Sequence, residues 1–170
     1  MTWKHLFVLI TVTGGTALWI AQSPPQGGTS FPMPAGKTYV EECGSCHTAF
    51  PPGMLPARSW RKMMNQLSEH FGEDASLDEP HYFAILKELE TLASDGSYAD
   101  MRMRRISAAI AANEAPQRIT DTAYFKRLHD EVPAAYWKRK GVGLPSNCIA
   151  CHLHANEGRY APAEMRIPAQ

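Results

Sequence analysis

The sequence predicts a mainly α-helical protein with little or no β structure. Apolar residues recur at helical spacing in several stretches, and no stretch convincingly alternates apolar and polar residues as a half-buried strand does. Proline and glycine separate these stretches, so the helices should be short and joined by irregular segments. With 170 residues, the chain is long enough for one domain or for two small domains that share a core.

The N-terminal residues predict export. Lys4 and His5 precede an apolar run from Leu6 to Ala21, which has the form of an export signal. No small-residue cleavage site stands out, although the run is slightly short for a hydrocarbon core that needs roughly 17 to 25 residues. We expect residues 1–21 to be an export signal or an uncleaved membrane anchor, with attachment through residues 4–21. Residues 22–36 are rich in proline and glycine and predict a linker.

Capping residues, prolines and apolar spacing predict the helices of the folded part. In the first half we predict a helix from near Lys37 into the first cysteine, a helix capped by Ser59 that ends at Gly72, and a helix capped by Asp78 with Pro80 in its first turn. In the second half we predict a helix from about Asp100 to Asn113, a helix capped by Thr120 that Pro133 ends, and a short segment from Ala134 to Lys140.

Two five-residue segments share the pattern C-x-x-C-H and contain all four cysteines. They are Cys43-Gly44-Ser45-Cys46-His47 and Cys148-Ile149-Ala150-Cys151-His152. This is the attachment pattern of c-type haem, because two thiols three residues apart can each add to a haem vinyl group while the next residue turns its imidazole toward the iron. We therefore predict two covalent haems attached through Cys43, Cys46, Cys148 and Cys151, with His47 and His152 as iron ligands.

Zinc and a disulfide framework are the alternatives for these cysteines. A four-thiolate zinc site usually has its C-x-x-C pairs within about 15 to 20 residues of each other. Here the two pairs lie about a hundred residues apart, and zinc or disulfides would leave both following histidines unexplained. Haem is favoured, and because c-type haem is attached outside the bacterial cytoplasm, we expect the chain on the periplasmic side of the inner membrane, anchored or exported.

The sixth ligand of each iron decides its chemistry, since a vacant position binds small molecules and a filled one restricts the protein to electron transfer. His5 lies in the export segment, and His154 would face away from the second haem on a helix. His70, His81 and His129 remain, and His129 lies near the centre of a predicted apolar helix face, where a partner is needed. Histidine is favoured over the methionines that also remain available, which are Met54, Met63, Met64, Met101 and Met103.

Two haems would replace much of the core that such short helices cannot supply. We expect a small helical c-type cytochrome domain at residues 37–170, with one haem half at about 37–95 and the other at about 96–170. The net charge of zero gives no argument for nucleic acid binding. The basic clusters Arg102 to Arg105 and Lys138 to Lys140 are either solvated surfaces or a docking patch for an acidic redox partner.

The chain resembles the dihaem cytochrome c family of bacterial electron carriers from about Tyr39 to Tyr160. The likeness is carried by Glu42 to His47, Pro51 to Arg61, His70 to Ala75, Arg118 to Thr120, Phe125 to His129 and Asn147 to His152. The resemblance implies two haems with two histidine ligands each, and it places His70 and His129 as the distal ligands. It also implies pairing with a small monohaem cytochrome or a membrane b-type haem protein.

We expect an electron-transfer protein rather than an enzyme, which passes single electrons between a membrane haem protein or quinol-oxidising donor and a small cytochrome or other acceptor. Two alternatives require one open axial position. The first is a dihaem peroxidase-like enzyme, although such enzymes are typically far longer. The second is a haem-based sensor in which a small ligand displaces an axial histidine.

Overall fold

The computed structural model describes residues 30–169, which are helical and form no β-sheet. The predicted mainly α-helical class is confirmed. Extended segments pair only at isolated bridges within this range. The helices are α1 (Lys37–Cys43), α2 (Ala57–Met64), α3 (Glu79–Leu92), α4 (Met101–Ala108), α5 (Ala123–Leu128) and α6 (Ala134–Trp137), and short 3-10 turns lie between them.

The predicted export signal or anchor at residues 1–21 lies outside the described residues, as does most of the predicted linker. Between residues 30 and 169, no helix is both long enough and apolar enough to cross a membrane. The division of residues 37–170 into two haem halves stays a prediction.

Two of the helix starts are held by carboxylate caps. Asp78 accepts a hydrogen bond from the backbone N–H of His81 at 3.0 Å, and Pro80 occupies the first turn of α3, as predicted. Asp100 accepts from the N–H of Met103 at 2.7 Å at the start of α4. The first N–H groups of an α-helix have no acceptor inside the helix, and a side-chain oxygen just before the helix accepts from one of them.

Helix α2 differs from its prediction at both ends. Pro56 precedes it, and Ser59 lies fully buried inside the helix instead of capping it. The helix ends at Met64 rather than at Gly72, because Gln66 already departs from the helical conformation, with φ of −126° and ψ of 26°. The chain then turns at Leu67–Glu69, and Phe71 adopts a left-handed backbone with φ of +55°. No right-handed helix can include that conformation.

Two boundaries in the second half also differ. Helix α4 ends at Ala108 instead of Asn113, and in the turn that follows the guanidinium of Arg58 donates to the carbonyls of Ile110, Ala111 and Glu114. Thr122 rather than Thr120 caps α5, accepting from the N–H of Phe125 at 3.2 Å.

The apolar core belongs mainly to the first half of the described chain. The larger cluster joins α1, α2 and α3, and its central residues are Tyr39, Leu55, Trp60, Met64, Ile85, Leu89 and Ala93. The smaller cluster contains Phe31, Met54, Met103 and Ile106. Between residues 123 and 169, only Val142 and Ala155 are buried hydrophobic residues. The second half therefore has almost no protein core of its own.

One close contact joins the beginning of the described chain to its end. The N–H of Phe31 donates to the carbonyl of Gly158 at 2.8 Å, and the Phe31 ring packs edge-on against Tyr124 and Tyr160. Gly158 has φ of +73°, and a Cβ there would lie 2.2 Å from the Phe31 carbonyl oxygen. Only glycine fits at this position.

Candidate haem sites

Helix α1 leads directly into the first C-x-x-C-H segment. Cys43 is the last residue of the helix and is half-buried, whereas Cys46 is exposed in the turn that follows. The hydroxyl of Ser45 donates to the Glu42 carbonyl at 2.9 Å, which ties the turn to the end of the helix. His47 follows at once, so both thiols and the imidazole come from one short and well-anchored stretch.

The proline-rich loop after His47 is fixed by two buried aromatic residues. The indole N–H of Trp60 donates to the Pro52 carbonyl at 2.8 Å, and the hydroxyl of Tyr39 donates to the Phe50 carbonyl. The ring of Phe50 stacks on His47, with ring centres 5.1 Å apart and planes at 26°. The helices of the core thereby set the position of the His47 imidazole.

His70 faces His47 across the first site. Their ring centres are 6.1 Å apart and their planes meet at 21°. His70 follows the 3-10 turn at Leu67–Glu69, and the left-handed residue Phe71 comes directly after it. The early end of α2 is therefore the feature that turns the His70 ring toward the first motif.

The second C-x-x-C-H segment is held by backbone contacts from both sides. Its first three residues form a 3-10 turn, Cys148–Ala150, and the N–H of His152 donates to the Cys148 carbonyl at 2.8 Å. The side-chain amide of Asn147 donates to the Val142 carbonyl at 3.0 Å. From the C-terminal segment, the N–H of Arg166 donates to the Cys151 carbonyl at 2.8 Å.

His129 faces His152 across the second site. Their ring centres are 6.2 Å apart, and their planes are almost perpendicular at 83°. Its spacing predicts that His129 lies at the centre of an apolar helix face, and this prediction is wrong. His129 directly follows the last residue of α5, and its side chain is only partly buried. Phe125, one turn earlier, stacks on it with ring centres 4.1 Å apart.

Both imidazole pairs have the separation that an iron atom between them requires. A metal–nitrogen bond of about 2 Å on each side, with about 1.1 Å from nitrogen to ring centre, places the two centres about 6.2 Å apart. The observed distances are 6.1 and 6.2 Å. The four histidines therefore fit two irons, each with two imidazole ligands.

Hydrogen bonds orient one imidazole of each pair. The Nδ1 atom of His47 lies 2.8 Å from the Thr48 carbonyl oxygen, and the Nδ1 atom of His129 lies 2.8 Å from the Phe125 carbonyl oxygen. A proton held on Nδ1 leaves the Nε2 lone pair free for a metal. The Nδ1 atom of His152 is buried without a partner among the described residues.

The other two imidazoles are kept neutral by their surroundings. Burial lowers the pKa of His70, and the neighbouring His47 and Arg118 lower it further. Burial also lowers the pKa of His152, with His129 as the second cause. A metal-binding imidazole has to be unprotonated, so both shifts favour ligation.

The cysteines do not have the character of a redox-active dithiol. None of the four, all of which lie in the described range, forms a disulfide. Burial raises the pKa of Cys43 and of Cys148 to about 11, whereas a reactive thiol in a redox C-x-x-C pair has a lowered pKa. No three His, Cys, Asp or Glu residues between 30 and 169 are grouped as a metal-binding cluster would be.

The two other histidines of the described chain and three of the candidate methionines are engaged elsewhere. The Nδ1 atom of His81 lies 3.4 Å from a Glu42 carboxylate oxygen and 3.2 Å from an Asp78 carboxylate oxygen. His154 pairs with Glu157 at 3.1 Å. Of the methionines, Met54, Met64 and Met103 are buried in the apolar clusters, Met101 is exposed, and Met63 lines a cavity of about 100 Å³ beside His70.

Aromatic residues around the imidazoles are the part of the sites that sequence reasoning missed. Phe50 stacks on His47, Phe125 stacks on His129, and Tyr160 packs against His152 with ring centres 5.1 Å apart. Phe125 precedes His129 by four residues, and that helical spacing is a signal that could have identified it. The position of Tyr160 depends on the fold and has no such signal.

A helical frame that carries two C-x-x-C-H segments, each with a second imidazole opposite its own, is that of a c-type cytochrome with two haem positions. The sequence profile described as dihaem cytochrome c matches residues 39–160. The chain belongs to the dihaem cytochrome c family, and it binds two covalent c-type haems with iron. The resemblance and the cofactors predicted from the sequence are thus confirmed.

Two solved structures are similar to the chain over most of its length. The first is a diheme cytochrome c from Rhodobacter sphaeroides, with 38% identity and a TM-score of 0.65, covering 74% of this chain and 97% of that chain. The second is a diheme cytochrome c from Shewanella baltica OS155, with 34% identity and a TM-score of 0.64, covering 81% of this chain and 96% of that chain. No functionally curated protein matches the chain significantly.

Proposed function

We propose that this electron-transfer cytochrome passes single electrons between a membrane haem protein or quinol-oxidising donor and a small cytochrome or another acceptor. It does so on the periplasmic side of the bacterial inner membrane, anchored or exported, and it is not an enzyme. A c-type cytochrome is matured outside the cytoplasm, and the apolar run before residue 22 supplies the means of export.

In this proposal, side chains of the chain itself attach both haems and fill both axial positions of each iron. Cys43 and Cys46 hold the first haem, whose iron lies between His47 and His70. Cys148 and Cys151 hold the second haem, whose iron lies between His152 and His129. The observation that carries the proposal is the pair of ring-centre distances, 6.1 and 6.2 Å, which leave room for one metal atom in each site.

The haem supplies a one-electron ferric–ferrous couple when bound, and the protein sets how that couple behaves. Two neutral imidazoles donate more strongly to ferric iron than a thioether does, so the potentials should be low. The carbonyls of Thr48 and Phe125 strengthen this donation, because a hydrogen bond from Nδ1 makes Nε2 more basic. Aromatic rings against the imidazoles hold the ligands in place in both oxidation states.

Carbon monoxide distinguishes this carrier from a dihaem peroxidase-like enzyme or a ligand sensor. We expect the absorption spectrum of the dithionite-reduced protein to stay unchanged when carbon monoxide is added, because both axial positions are filled. Stopped-flow mixing followed at the Soret band measures this directly. Rapid formation of a carbon monoxide complex at one haem would contradict the carrier and favour the alternatives.

A further inference from the structure

The zero net charge of the chain conceals a separation of charge between the two haem sites. Residues 69–79, which follow the turn that carries His70, contain five carboxylates and no lysine or arginine. Residues 133–155, which lead into and through the second C-x-x-C-H segment, contain three basic residues and no aspartate or glutamate. The surroundings of the first site are therefore acidic, and those of the second motif are basic.

The acidic residues are in contact with the first site. The N–H of Glu73 donates to the His70 carbonyl at 3.1 Å. The His81 ring lies within 3.4 Å of a Glu42 carboxylate oxygen and within 3.2 Å of an Asp78 carboxylate oxygen. Glu42 directly precedes Cys43 in the first C-x-x-C-H segment. A cation on this side is Arg118, whose guanidinium lies 4.0 Å above the Phe71 ring. It offsets only part of this negative charge.

The basic residues lie beside the second motif. Arg139 donates through its guanidinium to the Pro168 carbonyl, and two residues earlier in that C-terminal segment the N–H of Arg166 donates to the Cys151 carbonyl. Lys138, Lys140 and the side chain of Arg166 are exposed. The C-terminal segment thus links Arg139 and Arg166 to the backbone of the haem-attachment turn, and Lys138 and Lys140 are the sequence neighbours of Arg139.

Nearby carboxylates do not cancel this positive charge. Glu157 and Glu164 lie 3.1 and 3.3 Å from the guanidinium of Arg159, so these two carboxylates are already partly neutralised. On the opposite side of the second site, next to His129, the charges of Lys126, Arg127, Asp130 and Glu131 balance each other. Around the second site, the excess of positive charge therefore lies on the side of the C-x-x-C-H segment.

We propose that this basic face, made of Lys138, Arg139, Lys140 and Arg166, docks an acidic electron-transfer protein. The inference rests on the electron-transfer function proposed above. Opposite charges speed and orient the encounter between the two proteins. The second haem, held by Cys148, Cys151 and His152 beside this face, would supply one electron by oxidation of its iron from ferrous to ferric, and a one-electron centre of the partner would be reduced by it without transfer of a proton.

The test uses two oxidants of opposite charge. The dithionite-reduced, desalted protein is mixed in a stopped-flow instrument with oxidised rubredoxin, an acidic iron protein, or with a basic monohaem cytochrome c. We expect the rate with rubredoxin to fall about tenfold in the Lys138→Glu/Lys140→Glu variant at low ionic strength, and to lose most of its dependence on salt. The rate with the basic cytochrome should not fall.

The matched control is Lys62→Glu/Lys87→Glu, which makes the same charge change at two exposed lysines of α2 and α3. This control should lower the rate of electron transfer to rubredoxin by less than about twofold, because at short range the local charge steers the partner more than the net charge does. Haem content and Soret position confirm that each variant is folded, and Lys138→Gln/Lys140→Gln tests the same face should the Glu variant not accumulate.

Two results would overturn the proposal that this face docks the partner. If both double lysine variants lowered the rate with rubredoxin equally, net charge alone would govern the rate. A wild-type dimer in sedimentation at low ionic strength, dissociated by Lys138→Glu/Lys140→Glu, would mean that the acidic side of a second copy covers the face. Failure of the carrier function itself would look different, since neither oxidant would then accept electrons or the reduced protein would bind carbon monoxide.

Discussion

Replacing Cys148 and Cys151 with alanine is expected to remove one haem per chain and to unfold the C-terminal part of the protein. Between residues 123 and 169, Val142 and Ala155 are the only buried hydrophobic residues, and α5 and α6 are too short to be stable alone. The second haem must therefore supply most of the apolar surface that this part buries. The pyridine haemochrome ratio should fall from two haems per chain to one, and limited proteolysis should cut beyond about residue 123.

The Cys43→Ala/Cys46→Ala protein is the matched comparison. It should also lose one haem, but Trp60, Ile85 and Leu89 still pack α2 against α3, so helical content should fall less and protease should spare residues 57–92. A Cys148→Ala/Cys151→Ala protein that resists protease as well as the wild type would mean that the second half folds without its haem.

Replacing His129 with alanine is expected to make the second haem high-spin and open to carbon monoxide, while the first haem remains low-spin. The change removes the imidazole 6.2 Å from His152 and leaves the His47–His70 pair untouched. About half of the haem should bind carbon monoxide after reduction, and the potential of the second haem should rise because ferric iron loses a strong donor. Absorbance during carbon monoxide titration and potentiometric titration measures both effects.

His81→Ala is the control for the His129→Ala variant. His81 is the other histidine that the sequence leaves available as a distal ligand, but it lies between the carboxylates of Glu42 and Asp78. Its loss should leave both haems low-spin. The assignment of His129 fails if His81→Ala produces a high-spin haem or if His129→Ala leaves both haems low-spin.

Short-range patterns predicted the parts of the protein that short-range chemistry determines. Each C-x-x-C-H segment is a single turn, and the Asp78 cap with Pro80 depends on four successive residues. Spacing left His70, His81 and His129 for two positions and favoured His129, whose place on a predicted apolar helix face called for a partner. The family resemblance separated them, and the observed ring distances agree with that choice.

Long-range contacts account for what spacing could not predict. The turn after α4 contains carbonyls that accept from Arg58, more than fifty residues away in the sequence, and apolar spacing cannot reveal such a contact. Helix α2 ends early because Gln66 departs from the helical conformation, and apolar spacing carries no information about that backbone change. The two charge runs are visible in the sequence, but their closeness to the haem sites depends on contacts such as Arg166 with Cys151.

Low-temperature electron paramagnetic resonance of the ferric protein tests most directly whether each iron lies between two imidazoles. Nearly parallel ligand planes, as in His47–His70 at 21°, make two iron d orbitals unequal and give a rhombic low-spin signal. Nearly perpendicular planes, as in His129–His152 at 83°, leave those orbitals almost equal and give a strongly axial signal with a very large low-field g value. We predict both signals in equal amounts. A high-spin ferric signal that accounts for either haem would contradict the account.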